Sequence, residues 1–341
     1  MPPMSESASS ARDLAEAMAV LETERLALAF NGLQDALPYT VWPYLGQALA
    51  AATGRTAPDL AGPQLDRYDT RLQLLRTRGL APLGQTLDRN QVDEVHRHFA
   101  ACPCFAAHIA AKGDGVERTL EQCQALGPQA SYRLADIVAA PHLIELANRE
   151  DVLTLMEAYL GCVPSIYSVN AFWTFPGHPD LIPGLQTYHR DMDDFRFCTL
   201  FVFLTDLAPS DGAHYFVRGT HRIDLVERQI RGANPQADCA AELERLFAKV
   251  AAVDDQALAA LHPQIETVAG PAGTAVFEDT YGLHKGDVPK TKRLLAWIRY
   301  GLYRNWANLT DKVTPVPRQL AAGRIPDTPR HRYINRLIIE P

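Results

Sequence analysis

The chain has 341 residues, of which 47% are hydrophobic and 21% charged, a balance typical of a globular protein with ample chain for a sizeable core. Its formal net charge of -7 and its pI of about 5.9 argue against a nucleic-acid-binding protein. No apolar run approaches the roughly 20 residues of a membrane span, and the N-terminus lacks the basic and apolar regions of a secretory signal. We therefore expect a single-domain cytoplasmic protein, spanning residues 1–341, that binds neither nucleic acid nor a membrane.

The cysteine pattern fits the same expectation. The chain has six cysteines, none of them in a C-x-x-C pair and none at a spacing typical of a zinc site. We interpret them as free thiols in a reducing compartment.

Residues 10–160 are predicted to be mostly helical. Apolar residues recur there at helical spacing among strong helix formers, and several segments end at a glycine. The predicted helices are "ARDLAEAMAVLETERLALAF" (11–30), "YLGQALAAATG" (44–54), "QLDRYDTRLQLLRTRG" (64–79), "LDRNQVDEVHRHF" (87–99) and "APHLIELANREDVLTLMEAYLG" (140–161). The last of them is expected to break near Asn148.

Residues 161–305 change to a β pattern. β-Branched and aromatic residues dominate short segments separated by turn residues, which predicts an antiparallel sandwich or barrel. The predicted strands are "PSIYSVNAFWTF" (164–175), "LQTYH" (185–189), "FRFCTLFVFL" (195–204), "AHYFVRG" (213–219), "TAVFE" (274–278) and "RLLAWIRYGLY" (293–303). Residues 224–261 interrupt the strands as a helical insertion. Residues 306–341 form a C-terminal extension rich in proline and arginine, which we expect to wrap the surface.

The stretch "QTYHRDMDDF" (186–195) places one histidine and three aspartates directly before an apolar, β-prone run. In a strand, residues two apart point to the same face, so His189 and Asp191 can direct an imidazole and a carboxylate to one point. A third ligand is available far downstream at His284, between two strand-like segments. A jelly roll brings such distant strands side by side.

Two histidines and a carboxylate form the facial triad of non-haem Fe(II) oxygenases, which leaves coordination positions for a bidentate co-substrate and O₂. Arg293 follows His284 at the start of an apolar strand. A guanidinium buried there needs a partner, and a carboxylate held by two hydrogen bonds would satisfy it. The pattern therefore predicts catalytic roles for His189, Asp191, His284 and Arg293, the first three as metal ligands.

The sequence resembles the phytanoyl-CoA dioxygenase family of Fe(II)- and 2-oxoglutarate-dependent oxygenases over residues 90–305. The resemblance lies in "YHRDMDDF", then "FVFLTDLAPSDGAHYFVRGTH", then "GTAVFEDTYGLHKGDVPKTKR". It implies a mainly β fold, a double-stranded β-helix (jelly roll) flanked by helices, that uses Fe(II), 2-oxoglutarate and O₂. Residue by residue, it implies iron ligation by His189, Asp191 and His284. It also implies that Arg293 grips the far carboxylate of 2-oxoglutarate, although this arginine follows its histidine slightly more closely than the family's often does.

The reaction that the resemblance implies is hydroxylation of a small-molecule metabolite with release of succinate and CO₂. The carboxylate at Asp191 favours hydroxylation, because related halogenases carry glycine or alanine there to admit a halide. Desaturation, epimerisation and ring closure remain open with the same residues. The sequence identifies neither the primary substrate nor the oligomeric state.

Other polar residues near these motifs have open roles. Thr199 and Asn170 lie in predicted core strands, where each needs a polar partner, either the co-substrate or the backbone. We interpret Asp193 and Asp194 as turn residues or as hydrogen-bond partners of the metal ligands. We interpret His221 as a hydrogen-bonded structural residue. An anionic substrate would be sought first at the arginines before and within the insertion: Arg218, Arg222, Arg228 and Arg231.

Two other functions are compatible with parts of the sequence. The D-x-D of Asp191 and Asp193 resembles the cation site of nucleotide-sugar glycosyltransferases, but this hypothesis leaves His284 and Arg293 unexplained. A jelly roll that binds metal or 2-oxoglutarate without catalysis is the third possibility.

Overall fold

The structure is a computed structural model that describes residues 45, 46, 48, 50, 63–178, 186–247, 253, 258, 259, 264–302 and 314–340. The predicted helix at 11–30 and most of the one at 44–54 lie outside the described residues. So does most of the second half of the predicted insertion.

Helices occupy much of the chain before residue 161, the insertion and the C-terminal part. They are α1 (Pro63–Arg78), α2 (Arg89–Ala100), α3 (Leu120–Leu126), α4 (Leu134–Ala139), α5 (Leu143–Ala147), α6 (Glu150–Leu160), α7 (Ile223–Ala233), α8 (Cys239–Phe247) and α9 (Pro329–Asn335), with short 3₁₀ turns at Ala110–Lys112 and Arg318–Ala321. No helix among the described residues has the length and apolar character needed to cross a membrane.

The helix boundaries follow from local capping chemistry. Asp88 caps α2 in a capping box with Gln91, and Thr119 caps α3 in the same way with Gln122. The predicted break near Asn148 is present between α5 and α6, and the Asn148 amide donates to the carbonyl of Ile144.

Two antiparallel sheets form the centre of the molecule. Their strands are β1 (Leu80–Gln85), β2 (Gln129–Ser131), β3 (Ser165–Thr174), β4 (Phe197–Phe203), β5 (His214–Val217), β6 (Ile265–Val268), β7 (Thr274–Glu278), β8 (His284–Gly286) and β9 (Arg293–Gly301). The large sheet has the order β1-β7-β4-β9-β3-β2, and the small sheet the order β6-β5-β8. A single bridge between His189 and His284 adds the segment around His189 beside β8. The predicted strand at 185–189 is reduced to this bridge within the described residues.

Several strands were not predicted, and all are short or interrupted. β1 contains Pro82 and Gly84, which are depleted in strands, and its pairing with β7 has an irregularity between them. β2 and β8 have three residues each, and β6 has four. β1 and β2 arise in the region predicted to be mostly helical, and they form the two edges of the large sheet.

The large sheet is covered on both faces. One hydrophobic cluster joins its outer face to the helices, and a second, smaller cluster contains inward-facing residues of both sheets, among them Phe172, Phe201, Phe203, Phe216 and Trp297. The C-terminal extension does more than wrap the surface, because α9 packs on β3 and buries Ile334, with Ile338 buried just beyond it.

Candidate functional site

A cleft of about 820 Å³, including its open mouth, lies between the two sheets. Strands β3, β4 and β9 of the large sheet supply most of its wall, with β5 and β8 of the small sheet opposite. Along β9, the alternate residues Arg293, Leu295, Trp297 and Arg299 all face this cavity, as the period of two in a strand requires. The cavity is therefore apolar in the middle and cationic at both ends of this strand.

His189, Asp191 and His284 meet at the wall of this cavity. Each offers one possible ligand atom, and these atoms all lie within 4.8 Å of one another. The backbones of the two histidines are hydrogen-bonded in both directions, at 3.0 and 2.9 Å, and their rings are 4.3 Å apart. The amide of Asp191 donates to the carbonyl of Thr280 at 2.8 Å. Backbone pairing thus places the three side chains together.

The hydrogen bonds of the two imidazoles determine which nitrogen faces the cluster. Nδ1 of His189 lies 2.9 Å from the carbonyl of Thr187, and Nδ1 of His284 lies 2.9 Å from the carbonyl of Gly282. A carbonyl oxygen only accepts, so each Nδ1 carries the proton and each Nε2 keeps a free lone pair. This is the tautomer that metal-binding histidines adopt.

Protonation states also suit a cation. Burial, reinforced by His189, lowers the pKa of His284 to about 4, and burial lowers the pKa of His189 as well. Burial alone raises the pKa of Asp191, but Arg299 and the two histidines outweigh it and hold this pKa at about 2. At neutral pH the cluster therefore consists of two neutral imidazoles and one carboxylate, the forms that ligate metals.

Arg299 is a site residue that the sequence analysis missed. Its guanidinium donates to Asp191 Oδ2 at 2.8 Å and also to Asp193, and it lies over the ring of Trp297. Asp193, the second acid of the D-x-D pattern, is thus directed to Arg299 and to the hydroxyl of Tyr167 rather than to the cluster. The alternation of inward residues along "RLLAWIR" was the available signal, since it places this arginine on the same face as Arg293.

Arg293 lies at the other end of the same cavity face. Its Nε donates to Thr174 Oγ1 at 2.8 Å and one Nη donates to the carbonyl of Asp287 at 3.1 Å. No carboxylate of the described residues lies within ion-pair distance of it. Burial lowers its pKa to about 10, against the opposing effect of Asp211 and Asp287. A largely buried guanidinium without a close carboxylate has the charge and donors to bind an anion.

Gln129 completes this end of the cavity and was not singled out by the sequence. It is paired with Thr174 across β2 and β3, and Thr174 is paired with Arg293 across β3 and β9. All three line the cavity, and the buried Gln129 Nε2 has no hydrogen-bond partner. This end of the cavity therefore has one unpartnered amide donor next to a guanidinium that has no carboxylate partner among the described residues.

Thr199 and Asn170 have protein partners. The hydroxyl of Thr199 lies 3.3 Å from that of Thr280, and the amide of Asn170 donates to the carbonyl of His108 at 2.9 Å. Neither side chain is among those that line the cavity. Their assignment to co-substrate binding stays a prediction. The polar groups of both side chains already have hydrogen-bond partners within the protein.

Asp194 and His221 occupy structural positions. The carboxylate of Asp194 accepts from the backbone amides of Phe195 and Leu302 at 2.7 and 2.6 Å, which fixes the start of β4 against the end of β9. His221 is buried beside Gly79, where α1 ends, but the hydrogen bond expected for it is not found at either ring nitrogen within the described residues. Burial lowers the pKa of His221 to about 3.

The arginines around α7 are paired with acids. Arg218 contacts Glu266, Arg222 and Arg228 contact Asp224, and Arg231 contacts Glu227. None of these four arginines lines the cavity. The structure therefore does not place them as an anion site next to the cluster.

A buried acid lies behind the histidines. Glu278 Oε2 lies 2.8 Å from His214 Nε2, and this hydrogen bond bridges the two sheets. Burial raises the pKa of Glu278 to about 8 and lowers that of His214 to about 3, so both groups favour their uncharged forms. The pairing of Glu278 with His214 was not predicted from the sequence.

Comparisons with known proteins give distant structural similarity. No family model and no curated protein matches the chain. The solved structures that match include the non-haem alpha-ketoglutarate-dependent epimerase SnoN from nogalamycin biosynthesis, with 16% identity, coverage of 73% of this chain and 90% of that one, and a TM-score of 0.48. EctD from S. alaskensis, solved with 2-oxoglutarate and 5-hydroxyectoine, has 14% identity, 83% and 88% coverage, and a TM-score of 0.48. HygX from Streptomyces hygroscopicus, solved with nickel and 2-oxoglutarate, has 14% identity, 68% and 86% coverage, and a TM-score of 0.43. At these TM-scores the similarity assigns no activity to this chain.

Proposed function

We propose that this chain is an Fe(II)- and 2-oxoglutarate-dependent oxygenase that hydroxylates a small-molecule substrate and releases succinate and CO₂. The observation that carries the proposal is the joint presence, in one cavity, of a two-histidine, one-carboxylate cluster and a buried arginine without a close carboxylate. The motif resemblance to the phytanoyl-CoA dioxygenase family supports the same class.

The strand order supports a jelly roll of the double-stranded β-helix type. From β3 to β9, the chain alternates between the sheets. β3, β4, β7 and β9 lie in the large sheet, whereas the His189 segment, β5 with β6, and β8 lie in the small one. In such a fold, distant strands deliver residues to one cavity, which is what the His189–His284 bridge achieves.

The donor set fits a ferrous ion. Two neutral imidazoles with free Nε2 atoms and one ionised carboxylate are the ligands of the facial triad. His189, Asp191 and His284 would hold the ion. Arg299 would orient the carboxylate of Asp191 through its hydrogen bond, and the carbonyl of Thr280 would hold the backbone of Asp191 in place.

The far end of the cavity fits the second carboxylate of a dicarboxylic acid. Arg293 offers charge, and the unpartnered Nε2 of Gln129 offers a second donor in the same row. An apolar stretch with Phe203 and Leu295 separates this end from the cluster and would exclude water from the chain between the two carboxylates.

When bound, iron and 2-oxoglutarate supply the oxidation: one O₂ and one 2-oxoglutarate give succinate, CO₂ and one hydroxyl group on the substrate. The contribution of the protein is positional. His189, Asp191 and His284 fix the ion at one wall, Arg293 and Gln129 fix the co-substrate at the opposite end, and the aromatic residues exclude bulk water.

Anaerobic spectroscopy of the purified full chain tests the proposal. Addition of Fe(II) and 2-oxoglutarate should give a weak visible charge-transfer band, and subsequent exposure to O₂ should release succinate. Asp191→Ala should lose both the band and succinate, because it removes the anionic ligand. Asp114→Ala, at an exposed acid on the surface, is the matched control and should retain both. An unchanged band in Asp191→Ala would remove the metal-binding role from this cluster.

A further inference from the structure

One imidazole in the cavity, that of His108, has no role in the chemistry proposed above. His108 lines the cavity together with the cluster residues, and its Nδ1 is buried without a hydrogen-bond partner. A buried polar atom without a partner costs free energy, so a group that supplies a partner is expected at this position.

The main chain at His108 is held firmly. The Asn170 amide from β3 donates to the His108 carbonyl at 2.9 Å, and two backbone hydrogen bonds between Phe105 and Ser131 pin the preceding residues to β2. The ring is held as well, since it packs edge-on against Phe172 with centroids 4.6 Å apart and lies 4.8 Å from Trp297. His108 is thus a fixed polar group in an aromatic wall.

The charge state of His108 restricts its ligand. Burial, reinforced by Arg299 and Lys112, lowers the pKa of His108 to about 3, so the imidazole is uncharged at neutral pH. A carboxylate beside it would lose hydration against the negatively polarised faces of Phe172 and Trp297. The nearby guanidinium of Arg299 would compensate little, because it is already paired with Asp191 and Asp193. A substrate ammonium would meet the guanidinium of Arg299, which already lies over Trp297 at 4.8 Å.

We propose that His108 is a specificity-determining residue for an uncharged primary substrate, whose hydroxyl or carbonyl group hydrogen-bonds with Nδ1 while its ring or other apolar body packs against Phe172 and Trp297. The proposal rests on the oxygenase function proposed above. The arginines Arg218, Arg222, Arg228 and Arg231 are paired with acids outside the cavity, which agrees with an uncharged ligand.

Shape-matched probes test the polar group separately from the apolar body. The probes are 1-indanol, 1-indanone, indane, indane-1-carboxylate and 1-aminoindane. Binding is measured by ligand-detected NMR on the full chain, once without metal and once with Zn(II) and 2-oxoglutarate. We expect 1-indanol or 1-indanone to bind about tenfold more tightly than indane, the gain from one hydrogen bond to a buried partner. In the protein loaded with Zn(II) and 2-oxoglutarate, where Arg293 is occupied, the carboxylate and the amine should bind more weakly than indane.

Two variants separate hydrogen bonding from packing. His108→Phe keeps the ring and should reduce the affinity for 1-indanol and 1-indanone to that for indane while leaving indane unchanged. His108→Asn places a polar group near the position of Nδ1 and should restore part of the preference. Three outcomes would overturn the inference: equal loss for all probes in His108→Phe, tightest binding of the carboxylate or the amine in the protein loaded with Zn(II) and 2-oxoglutarate, or no binding of any probe at its solubility limit.

Probe binding and the charge-transfer band together separate failure of the His108 proposal from failure of the oxygenase proposal. A preference for the uncharged polar probes in a protein that forms no charge-transfer band with Fe(II) and 2-oxoglutarate would retain the binding site and reject the reaction. A charge-transfer band without that preference would retain the reaction and reject the role of His108.

Discussion

Arg299 balances two buried carboxylates with one guanidinium. Asp191 and Asp193 both accept from it, and all three side chains are largely buried. A buried ion pair is a weak source of net stability, but removal of one partner leaves uncompensated charge in a low dielectric. The site therefore depends on this arginine before any ligand is bound.

We expect Arg299→Met to destabilise the metal-free protein by about 3–5 kcal/mol, because both aspartates lose their counter-charge. The double variant Arg299→Met/Asp193→Asn should recover part of this loss, because it removes one of the uncompensated charges. Urea unfolding at neutral pH measures both. A loss below about 1 kcal/mol in the single variant, the range of an exposed pair, would show that solvent reaches these carboxylates.

Gln129 should act at the far end of the co-substrate. Gln129→Leu is expected to weaken 2-oxoglutarate binding about tenfold, since a hydrogen bond to a charged group contributes roughly 1.5–3 kcal/mol. Pyruvate, which has the same keto acid head but no second carboxylate, should bind both proteins equally. The charge-transfer band titrated anaerobically with each acid gives the two affinities. If the variant binds both acids more weakly by the same factor, Gln129 acts on the keto acid head near the metal and not on the second carboxylate.

At the scale of elements, the helical insertion contacts the segment that carries His189 and Asp191, and Arg190 makes the largest of these contacts that involve a side chain. Arg190 lies between His189 and Asp191 in the chain and is buried, with its guanidinium over the rings of Phe247 and Tyr281. It also donates to the carbonyl of Phe247, at the end of α8. The insertion therefore supports the segment that carries two ligands of the cluster.

Phe247→Ala should destabilise the protein by about 3–5 kcal/mol and should also weaken Fe(II) binding, because Arg190 loses the ring that holds it. Leu246→Ala is the matched control: it is a buried neighbour on the same helix, outside the contact with Arg190, and should lose about 2–5 kcal/mol with unchanged metal affinity. Thermal unfolding and metal titration measure the two effects. Equal metal affinity in both variants would make α8 a purely structural element.

The elements that the sequence predicted are those with a strong local signal. β3, β4, β7 and β9 are runs of β-branched and aromatic residues, and α2 has a complete capping box. β1 was missed because Pro82 and Gly84 oppose a strand locally, and its pairing with β7 and its packing against α1 stabilise it only in the folded chain. Tertiary pairing of this kind has no signal in a single sequence.

The candidate site divides in the same way. His189, Asp191 and His284 were identifiable because a metal site needs few residue types at characteristic spacing. Arg299, Gln129 and His108 were not, because their importance comes from the charges and unpartnered atoms around them in the folded chain. Glu278 belongs to this group, since its burial and its contact with His214 arise only in the folded chain.

At the scale of the whole molecule, buried histidines should make stability depend on pH. Burial lowers the pKa of His221 to about 3, below the usual value of the unfolded chain. Between these two pKa values the unfolded chain binds more protons than the folded one, so the contribution of His221 is present above the unfolded pKa and is lost as pH falls towards 3. Each unit of separation corresponds to about 1.4 kcal/mol.

His221→Leu should therefore flatten the acid side of the stability profile. The difference in unfolding free energy between wild type and variant is expected to shift by about 1–2 kcal/mol in favour of the variant between pH 6.5 and pH 5. Urea unfolding across this range measures it, and the constant difference expected above pH 7 serves as the internal reference. Parallel profiles throughout would mean that the folded protein accepts the proton at His221.

The two-way backbone pairing of His189 with His284 has a consequence for how an ion arrives and leaves. In small metal-dependent domains the ion organises the chain, so that chelators unfold it. In this protein, backbone pairing already holds the two histidines next to each other along a sheet edge. Binding of an ion therefore requires little further ordering of the chain. Uptake should accordingly be quick and reversible, and a chelator should strip the ion while leaving the circular dichroism spectrum intact.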